Sequence, residues 1–324
     1  MRVTVYGVGA VGGWIAARLA RSGMFVNVVA RGKTLEVLKA KGLTLCSPQD
    51  EFTVSVNADS DPRKFGVQDC IVLAVKAPAL RDVAQELAPL LGPDTTVVTA
   101  MNGVPWWFFH QLGGSLADRR LASVDPDGAI AQAIPSSHIL GCVVHATCSA
   151  PAPATVRYFG GDGLIIGEPS GVLSDRVRCV AYLLNQAGIK TEVSEAIRSD
   201  AWYKLWGNLC INPISALTGA TVDRIMADPA LSDVVTRMML EAQSIGICLG
   251  IPMHQSIEER QELLKTIGVF KSSMLQDMEA GRMIELDALV GAVSELGHLV
   301  GVPTPSIDTV LSLTRMAAQT RGLY

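Results

Sequence analysis

The chain has 324 residues, of which 49% are hydrophobic and 18% are charged, and its formal net charge is -4. This length allows two domains and a large core, and the composition is that of a globular protein. The slightly acidic balance argues against a nucleic-acid partner, because proteins that bind nucleic acid present a strongly basic surface.

Membrane insertion and a structural metal are also disfavoured by the sequence. No apolar run reaches the roughly 18 residues that a transmembrane helix needs, so no membrane partner is predicted. The first residues form a strand pattern, and no signal peptide is expected. The seven cysteines include no C-x-x-C pair, which argues against a zinc site and is typical of reduced thiols in a cytoplasmic protein.

A glycine-rich turn follows the first predicted strand, at residues 3–6. The turn consists of Gly7, Val8, Gly9, Ala10, Val11 and Gly12, and an amphipathic helix pattern comes next. A G-x-G-x-x-G motif between strand and helix predicts dinucleotide binding. Gly7 permits the tight turn, Gly9 lets a pyrophosphate approach the backbone, and Gly12 lets the helix pack on the strand. The N–H groups and dipole of the helix N-terminus favour phosphate.

The end of the second predicted strand, at residues 25–30, indicates which dinucleotide is bound. An NAD site places an acidic residue near this point to bind the ribose 2′-hydroxyl. The sequence instead has Arg31 and Lys33. Because a guanidinium matches a 2′-phosphate in charge and geometry, we predict NADP(H) as the coenzyme. The alternative is that both residues are solvated loop charges.

Two polar residues follow buried strand patterns further along the chain. Lys76 ends the apolar run at residues 69–75, and Asn102 follows the run at residues 95–100. The carboxyl ends of parallel strands face the ligand crevice in open α/β sheets. We therefore predict that Lys76 and Asn102 border a binding site, although a surface lysine and a turn asparagine are the simpler alternatives.

The order of predicted elements divides the chain at about residue 195. Strands and helices alternate up to this point, with strand patterns at residues 139–147, 155–159 and 164–166 that indicate an antiparallel addition. Only helical patterns follow. The fold class predicted is a Rossmann-type, doubly wound α/β sheet with an antiparallel addition at residues 1–195, and an all-α domain at residues 196–324.

The first long helix of the second half, at residues 201–217, is apolar except for one polar stripe. Lys204, Asn208 and Asn212 are four residues apart and therefore lie within roughly 80° of one face. A buried lysine needs a polar partner, and a substrate is one candidate. The other interpretation is a core helix whose lysine reaches the surface. Pro213 is expected to kink or break the helix.

Two further polar residues begin helices downstream. Ser273 lies in a sequence typical of a helix N-cap, and Glu285 precedes a largely apolar helix, where the helix dipole favours an acid. Both residues thus have structural explanations as well as possible roles in a site.

Together these residues resemble the ketopantoate reductase family, the 2-dehydropantoate 2-reductases, over essentially the whole chain. The lysine–asparagine–asparagine helix and the Ser-Ser-Met-x-Gln-Asp segment are its most specific motifs. The full set is residues 7–12 with Arg31, residues 75–76, residues 102–104, Lys204 with Asn208 and Asn212, residues 272–277, and residues 285–287.

The resemblance implies reduction of 2-dehydropantoate to pantoate by NADPH, a step towards pantothenate and coenzyme A. It implies Lys204 as the general acid and Glu285 as a second catalytic residue that hydrogen-bonds the far hydroxyl of the substrate. The substrate-binding residues implied are Asn208, Asn212, Ser273 and Asn102. The coenzyme-binding residues implied are Gly7, Val8, Gly9, Ala10, Val11, Gly12, Arg31, Lys76 and Asn102.

The chemistry expected from these residues agrees with this assignment. Reduction of a ketone forms an alkoxide, which must be protonated or stabilised as it forms. A lysine whose pKa is lowered by partial burial can supply the proton. The carboxylate of a 2-keto acid can bind to Lys76 or to the helix N-terminus at Ser273. No metal is expected, and a monomer and a homodimer both remain open.

One segment departs from the family pattern, and it leaves other functions open. Residues 105–110 are rich in aromatic side chains, and Trp106 and Trp107 are expected to reshape the substrate pocket. His110 and His145 are interpreted as structural. The alternatives are a related NADPH-dependent reductase of another 2-keto acid or small carbonyl compound, and a non-catalytic NADPH-binding sensor, which the intact polar set disfavours.

Overall fold

The computed structural model describes residues 1–251, 253 and 255–324. The chain forms two compact units. Unit 1 comprises residues 1–101, 107–119 and 128–197, and unit 2 comprises residues 102–106, 120–127 and 198–324. Two short segments therefore belong to the second unit although the stretches that flank them belong to the first.

Unit 1 is built on one ten-stranded sheet. Its strands are β1 (Val3–Tyr6), β2 (Val26–Val29), β3 (Leu43–Cys46), β4 (Glu51–Val54), β5 (Asn57–Asp59), β6 (Cys70–Leu73), β7 (Thr96–Ala100), β8 (Ile139–Ala152), β9 (Thr155–Gly167) and β10 (Thr191–Val193). Their order is β4-β3-β9-β8-β7-β6-β1-β2-β5, and β10 pairs with β9. Strands β1, β2, β6 and β7 pair in parallel, whereas β8 and β9 are antiparallel. The predicted α/β class with its antiparallel addition is confirmed.

The helices of unit 1 connect these strands. They are α1 (Ala10–Arg21), α2 (Gly32–Lys41), α3 (Leu80–Glu86), α4 (Ala129–Ala133) and α5 (Asp175–Gln186). Ile15 and Leu19 of α1 are fully buried, as are Val3 and Val5 of β1. Burial of this apolar face fixes α1 on the sheet, so the glycine turn that precedes α1 is held at the carboxyl end of β1.

The antiparallel part of the sheet corrects one prediction. The strands expected at residues 155–159 and 164–166 are one strand, β9, and the short strands β3, β4 and β5 were not predicted. Gly161 and Gly163 have φ values of +129° and +98°, and the β8–β9 register shifts between His145 and Ala146. Because glycine adopts these angles at little cost, the strand bends without leaving the sheet.

Unit 2 is helical, as predicted for the C-terminal half. Its helices are α6 (Ile197–Thr218), α7 (Val222–Ala227), α8 (Pro229–Cys248), α9 (Ile257–Thr266), α10 (Ser273–Glu279), α11 (Ala292–Val300) and α12 (Pro305–Gln319). A π-helical turn at Asp287–Gly291 precedes α11. Such turns are rare and are frequently found at functional sites.

The central helix α6 is longer than predicted and does not break at Pro213. It continues to Thr218, although Pro213 cannot donate to the carbonyl of Leu209. Trp202 and Trp206 are both 1% exposed, and Trp206 Nε1 donates to the carbonyl of Met239 on α8 at 2.9 Å. Tertiary packing of this apolar surface offsets the lost helical hydrogen bond.

The two short segments of unit 2 are anchored by specific contacts. The Glu295 carboxylate accepts hydrogen bonds from the backbone N–H groups of Ala122 and Ser123, at 2.7 and 2.8 Å. The N–H of Val104 donates to the carbonyl of Ala288, in the π-helical turn, at 2.8 Å. These bonds fix residues 120–127 and 102–106 against the helices of unit 2.

Candidate active site

The glycine turn of unit 1 has the geometry that a dinucleotide requires. Gly7 has a φ of +94°, and a Cβ there would lie 2.7 Å from Cγ1 of Val75. A Cβ on Gly12 would overlap the carbonyl of Gly7, so only glycine fits at the helix–strand contact. Gly9 is the N-cap of α1, and a Cβ there would meet nothing within 4 Å. The first turn of α1 carries no acid, so the site fits a pyrophosphate.

Arg31 belongs to a three-residue cluster beside this turn. Its Nη2 donates to both carboxylate oxygens of Glu86, at 2.5 Å each, and the hydroxyl of Tyr6 donates to the same carboxylate. Burial and the Glu86 carboxylate raise the pKa of the Tyr6 hydroxyl above its usual range. Sequence reasoning missed Glu86, because it lies 55 residues from Arg31 at the end of α3.

The other charged candidates of unit 1 lie in different surroundings. Lys76 is half-buried just beyond the carboxyl end of β6, as expected for a residue that borders a site. Lys33 is 73% exposed and pairs with Glu36 at 3.0 Å, so it is a surface ion pair on α2. His110 lies 3.1 Å from Asp118 in an irregular segment.

The polar stripe of α6 is present in unit 2, and Lys204 has a defined partner there. Lys204 Nζ donates to Oδ1 of Asn102 at 2.6 Å, and the two residues are 102 positions apart. The structure thus brings together two candidates that the sequence placed on separate elements. A neutral amide oxygen holds the ammonium group without removing its proton.

The far end of the stripe contacts the start of α10. Asn212 Nδ2 lies 3.5 Å from Oγ of Ser273, at the limit of a hydrogen bond. Ser273 is not the N-cap, because the hydroxyl of the buried Ser272 caps the helix by accepting from the N–H of Leu275 at 3.1 Å. The Ser273 hydroxyl therefore has no capping role and is exposed.

Between these two contacts lies Asn208, whose side chain is half-buried and makes no hydrogen bond to any described residue. Its amide can donate and accept toward a ligand. The stripe thus consists of a held lysine, an amide that is available, and an amide beside an exposed hydroxyl. Substrate groups with several oxygen atoms match this set.

Glu285 lies next to the segment that carries Asn102. Glu285 is 9% exposed and directly precedes the helical turn that includes Ala288. Gly103 has a φ of +87°, and a Cβ there would lie 2.6 Å from the carbonyl oxygen of Ala288. Because only glycine allows this approach, Gly103 fixes Asn102 close to the turn that follows Glu285. An acid placed only for the helix dipole would remain exposed, whereas Glu285 is buried.

The aromatic segment divides between the two units. Trp107 is a core residue of unit 1, where its Nε1 donates to Oγ1 of Thr99 at 3.1 Å. A Cβ on Gly141 would lie 2.7 Å from its ring. Trp106 is also buried but belongs to the Asn102 segment of unit 2. Trp107 packs in the core of the sheet, so of the two tryptophans only Trp106 stays a candidate for reshaping the substrate pocket.

The described residues show neither a metal centre nor a membrane-spanning helix. They contain no group of three or more His, Cys, Asp or Glu side chains placed to hold a metal ion. In the same part of the chain, no helix is both long and apolar enough to cross a membrane.

A glycine turn that fits a pyrophosphate, together with a lysine held by an amide in a helical unit, defines an NAD(P)-dependent oxidoreductase. Two family models match the chain and identify its family within this class of enzymes. The model for ketopantoate reductase PanE/ApbA matches residues 3–171, and the model for the C-terminal part of the same proteins matches residues 196–318. The chain therefore belongs to the ketopantoate reductase family.

Similar proteins support this assignment over the full length. A 2-dehydropantoate 2-reductase of Mesorhizobium japonicum is 46% identical over 325 residues, which cover all of both chains. A solved structure from Ralstonia solanacearum MolK2, assigned as a ketopantoate reductase, is 52% identical with a TM-score of 0.95, covering 100% of this chain and 99% of that one. A D-mandelate dehydrogenase is similar in fold alone, with 20% identity, a TM-score of 0.84 and complete coverage of both chains.

Proposed function

We propose that the protein reduces 2-dehydropantoate to (R)-pantoate with NADPH, a step towards pantothenate. The hydrogen bond from Lys204 to Asn102 is the observation that supports this most directly, because it holds a proton donor at one end of a polar stripe. The Mesorhizobium japonicum relative of the same length is a 2-dehydropantoate 2-reductase.

Lys204 is the general acid in this proposal. The bound nicotinamide supplies a hydride to the keto carbon, and the keto oxygen gains negative charge as the hydride arrives. Lys204 donates its proton to this oxygen. Asn102 aims the ammonium group, because its Oδ1 accepts one of the three N–H bonds and restricts rotation of the other two.

The remaining polar residues of unit 2 bind the substrate. Asn208 and Asn212 follow Lys204 along α6, and each amide can accept from a hydroxyl or donate to a carboxylate. Ser273 adds a hydroxyl at the start of α10, and Glu285 hydrogen-bonds the hydroxyl at the far end of the substrate. A substrate with a carboxylate, a ketone and a terminal hydroxyl uses all four residues.

The coenzyme binds unit 1 in this proposal, and NADPH is preferred over NADH. The turn at residues 7–12 binds the pyrophosphate through its backbone, and Arg31 binds the 2′-phosphate. Lys76 and Asn102 border the nicotinamide end. Residues 1–195 form the coenzyme domain and residues 196–324 form the substrate domain.

The kinetics of a substrate panel test the proposal. The purified protein with NADPH should reduce 2-dehydropantoate with a higher kcat/KM than pyruvate, 2-oxobutyrate, 2-oxoisovalerate or phenylglyoxylate. 2-Oxoisovalerate lacks the hydroxymethyl group of 2-dehydropantoate, so this pair measures the contribution of that group, which includes the hydrogen bond to Glu285. If the protein does not turn over 2-dehydropantoate but reduces another 2-keto acid well, it is a reductase of that other acid.

We also propose that the protein acts in the cytoplasm, as a monomer or a homodimer. None of the seven cysteines, all of which lie among the described residues, forms a disulfide bond, which suits a reducing compartment. Light scattering during size-exclusion chromatography distinguishes the two assembly states.

A further inference from the structure

The Arg31–Glu86–Tyr6 cluster adjoins the glycine turn, at the carboxyl ends of two parallel strands. Tyr6 is the last residue of β1 and pairs in register with Val29, the last residue of β2. Gly7 begins the glycine turn directly after Tyr6, and Arg31 follows β2. In sheets of this class, the end of the second strand binds the adenosine ribose of the coenzyme.

The way in which Arg31 is bonded leaves part of its guanidinium available. Only Nη2 contacts Glu86, and it bonds both oxygens. Nε and Nη1 make no hydrogen bond to any described residue, and the side chain is 58% exposed. Two donors therefore remain for a phosphate while the ion pair stays intact.

The Glu86 carboxylate can accept a further hydrogen bond, and it carries a negative charge. A carboxylate has about four lone-pair positions, and the two bonds from Arg31 and one from Tyr6 leave one of them unused. The Glu86 side chain is 38% exposed, so solvent reaches it. An acid beside the ribose binds a 2′-hydroxyl, whereas the same negative charge repels a 2′-phosphate.

We propose that Glu86 is a specificity-determining residue that limits the preference for NADPH and allows NADH to bind. This inference rests on the proposed coenzyme function. With NADPH, Nε and Nη1 of Arg31 bind the 2′-phosphate against the repulsion of Glu86. With NADH, the Glu86 carboxylate accepts a hydrogen bond from the ribose 2′-hydroxyl. Tyr6 holds the carboxylate in place for both coenzymes.

Coenzyme binding without substrate tests this directly. Dissociation constants for NADPH and NADH are measured by nicotinamide fluorescence, and those for 2′,5′-ADP and ADP by calorimetry. In Glu86→Gln, the ratio of the NADH constant to the NADPH constant should rise about tenfold, because the repulsive charge is lost and a neutral amide replaces the charged acceptor for the 2′-hydroxyl. The ratio for ADP and 2′,5′-ADP should rise in parallel. In Arg31→Ala, both ratios should fall below one, because Glu86 still repels the 2′-phosphate and no guanidinium offsets it.

Glu36→Gln is the matched control. It removes an acid from α2 close to Arg31 in sequence, but Glu36 pairs with Lys33 and not with Arg31. Its ratios should equal those of the wild type. Unchanged ratios in Glu86→Gln, or an equal rise in Glu36→Gln, would overturn the role of Glu86 while leaving the proposed reductase intact. A wild type that binds neither coenzyme would overturn both proposals.

Discussion

The two candidate binding regions of the molecule are built in opposite ways. The coenzyme region of unit 1 depends mostly on backbone groups in one short stretch, residues 7–12, held by glycines that permit close approach. The polar stripe of unit 2 depends on side chains that meet partners far away in the chain, with Lys204 bonded to Asn102 and Asn212 close to Ser273. The first region is determined locally, and the second exists only after the tertiary fold has formed.

Because of this difference, mutations in the two regions should change different measured quantities. A change in unit 1 should alter coenzyme affinity, because the backbone cradle and Arg31 contact only the coenzyme in the proposed function. A change in the stripe should alter kcat or KM at constant coenzyme affinity. Three variants of unit 2 test the second of these expectations, in order of decreasing effect.

The largest effect is expected for Lys204→Ala. Loss of a general acid should lower kcat roughly 10²- to 10⁴-fold, while the dissociation constant for NADPH stays close to that of the wild type. Single-turnover kinetics and fluorescence titration measure the two quantities. Lys265→Ala, which removes an exposed lysine paired with Glu262, is the control. An unchanged kcat would exclude Lys204 as the proton donor.

A smaller effect is expected for Gly103→Ala. The positive φ alone should reduce the free energy of unfolding by roughly 1–3 kcal/mol, and the contact with the Ala288 carbonyl should add to this and displace Asn102. Chemical denaturation and kcat measure the two effects. Gly219→Ala is the matched control, because Gly219 has a φ of +69° but open space around it. Equal losses in both variants would mean that the Ala288 contact has no effect.

The smallest effect is expected for Ser273→Ala, which should raise the KM for the keto acid about 3- to 10-fold through one lost hydrogen bond. Its thermal stability should match the wild type, since Ser272 caps the helix. Ser272→Ala should instead lower stability by about 1 kcal/mol. If Ser273→Ala lowers stability and leaves KM unchanged, Ser273 is a structural residue.

The sequence predicted the elements of the site better than their contacts. The glycine turn was predictable because its motif lies within six consecutive residues, between a predicted strand and a predicted helix. Lys204, Asn208 and Asn212 were predictable as one stripe from helical periodicity alone. Their partners were not, since periodicity gives the face of a helix but not what packs against it.

The failures have the same physical origin. Glu86 was missed because four strands, β3 to β6, lie between it and Arg31 in the sequence. Pro213 was expected to kink or break α6. The helix does not break there, because packing of Trp206 and its neighbours outweighs one lost hydrogen bond. β9 was predicted as two strands because its glycines resemble the residues of a turn in the sequence. In the structure these glycines bend the strand without taking it out of the sheet.

The assignment of residues 102–106 and 120–127 to unit 2 has a consequence for evolution by recombination. A crossover near residue 195 exchanges the coenzyme half between two relatives, yet it transfers both of these segments with that half. Gly103 must then match a foreign Ala288 carbonyl, and Ser123 a foreign Glu295. Viable chimeras therefore require these pairs to be inherited together, so the two halves of this enzyme are not freely interchangeable modules.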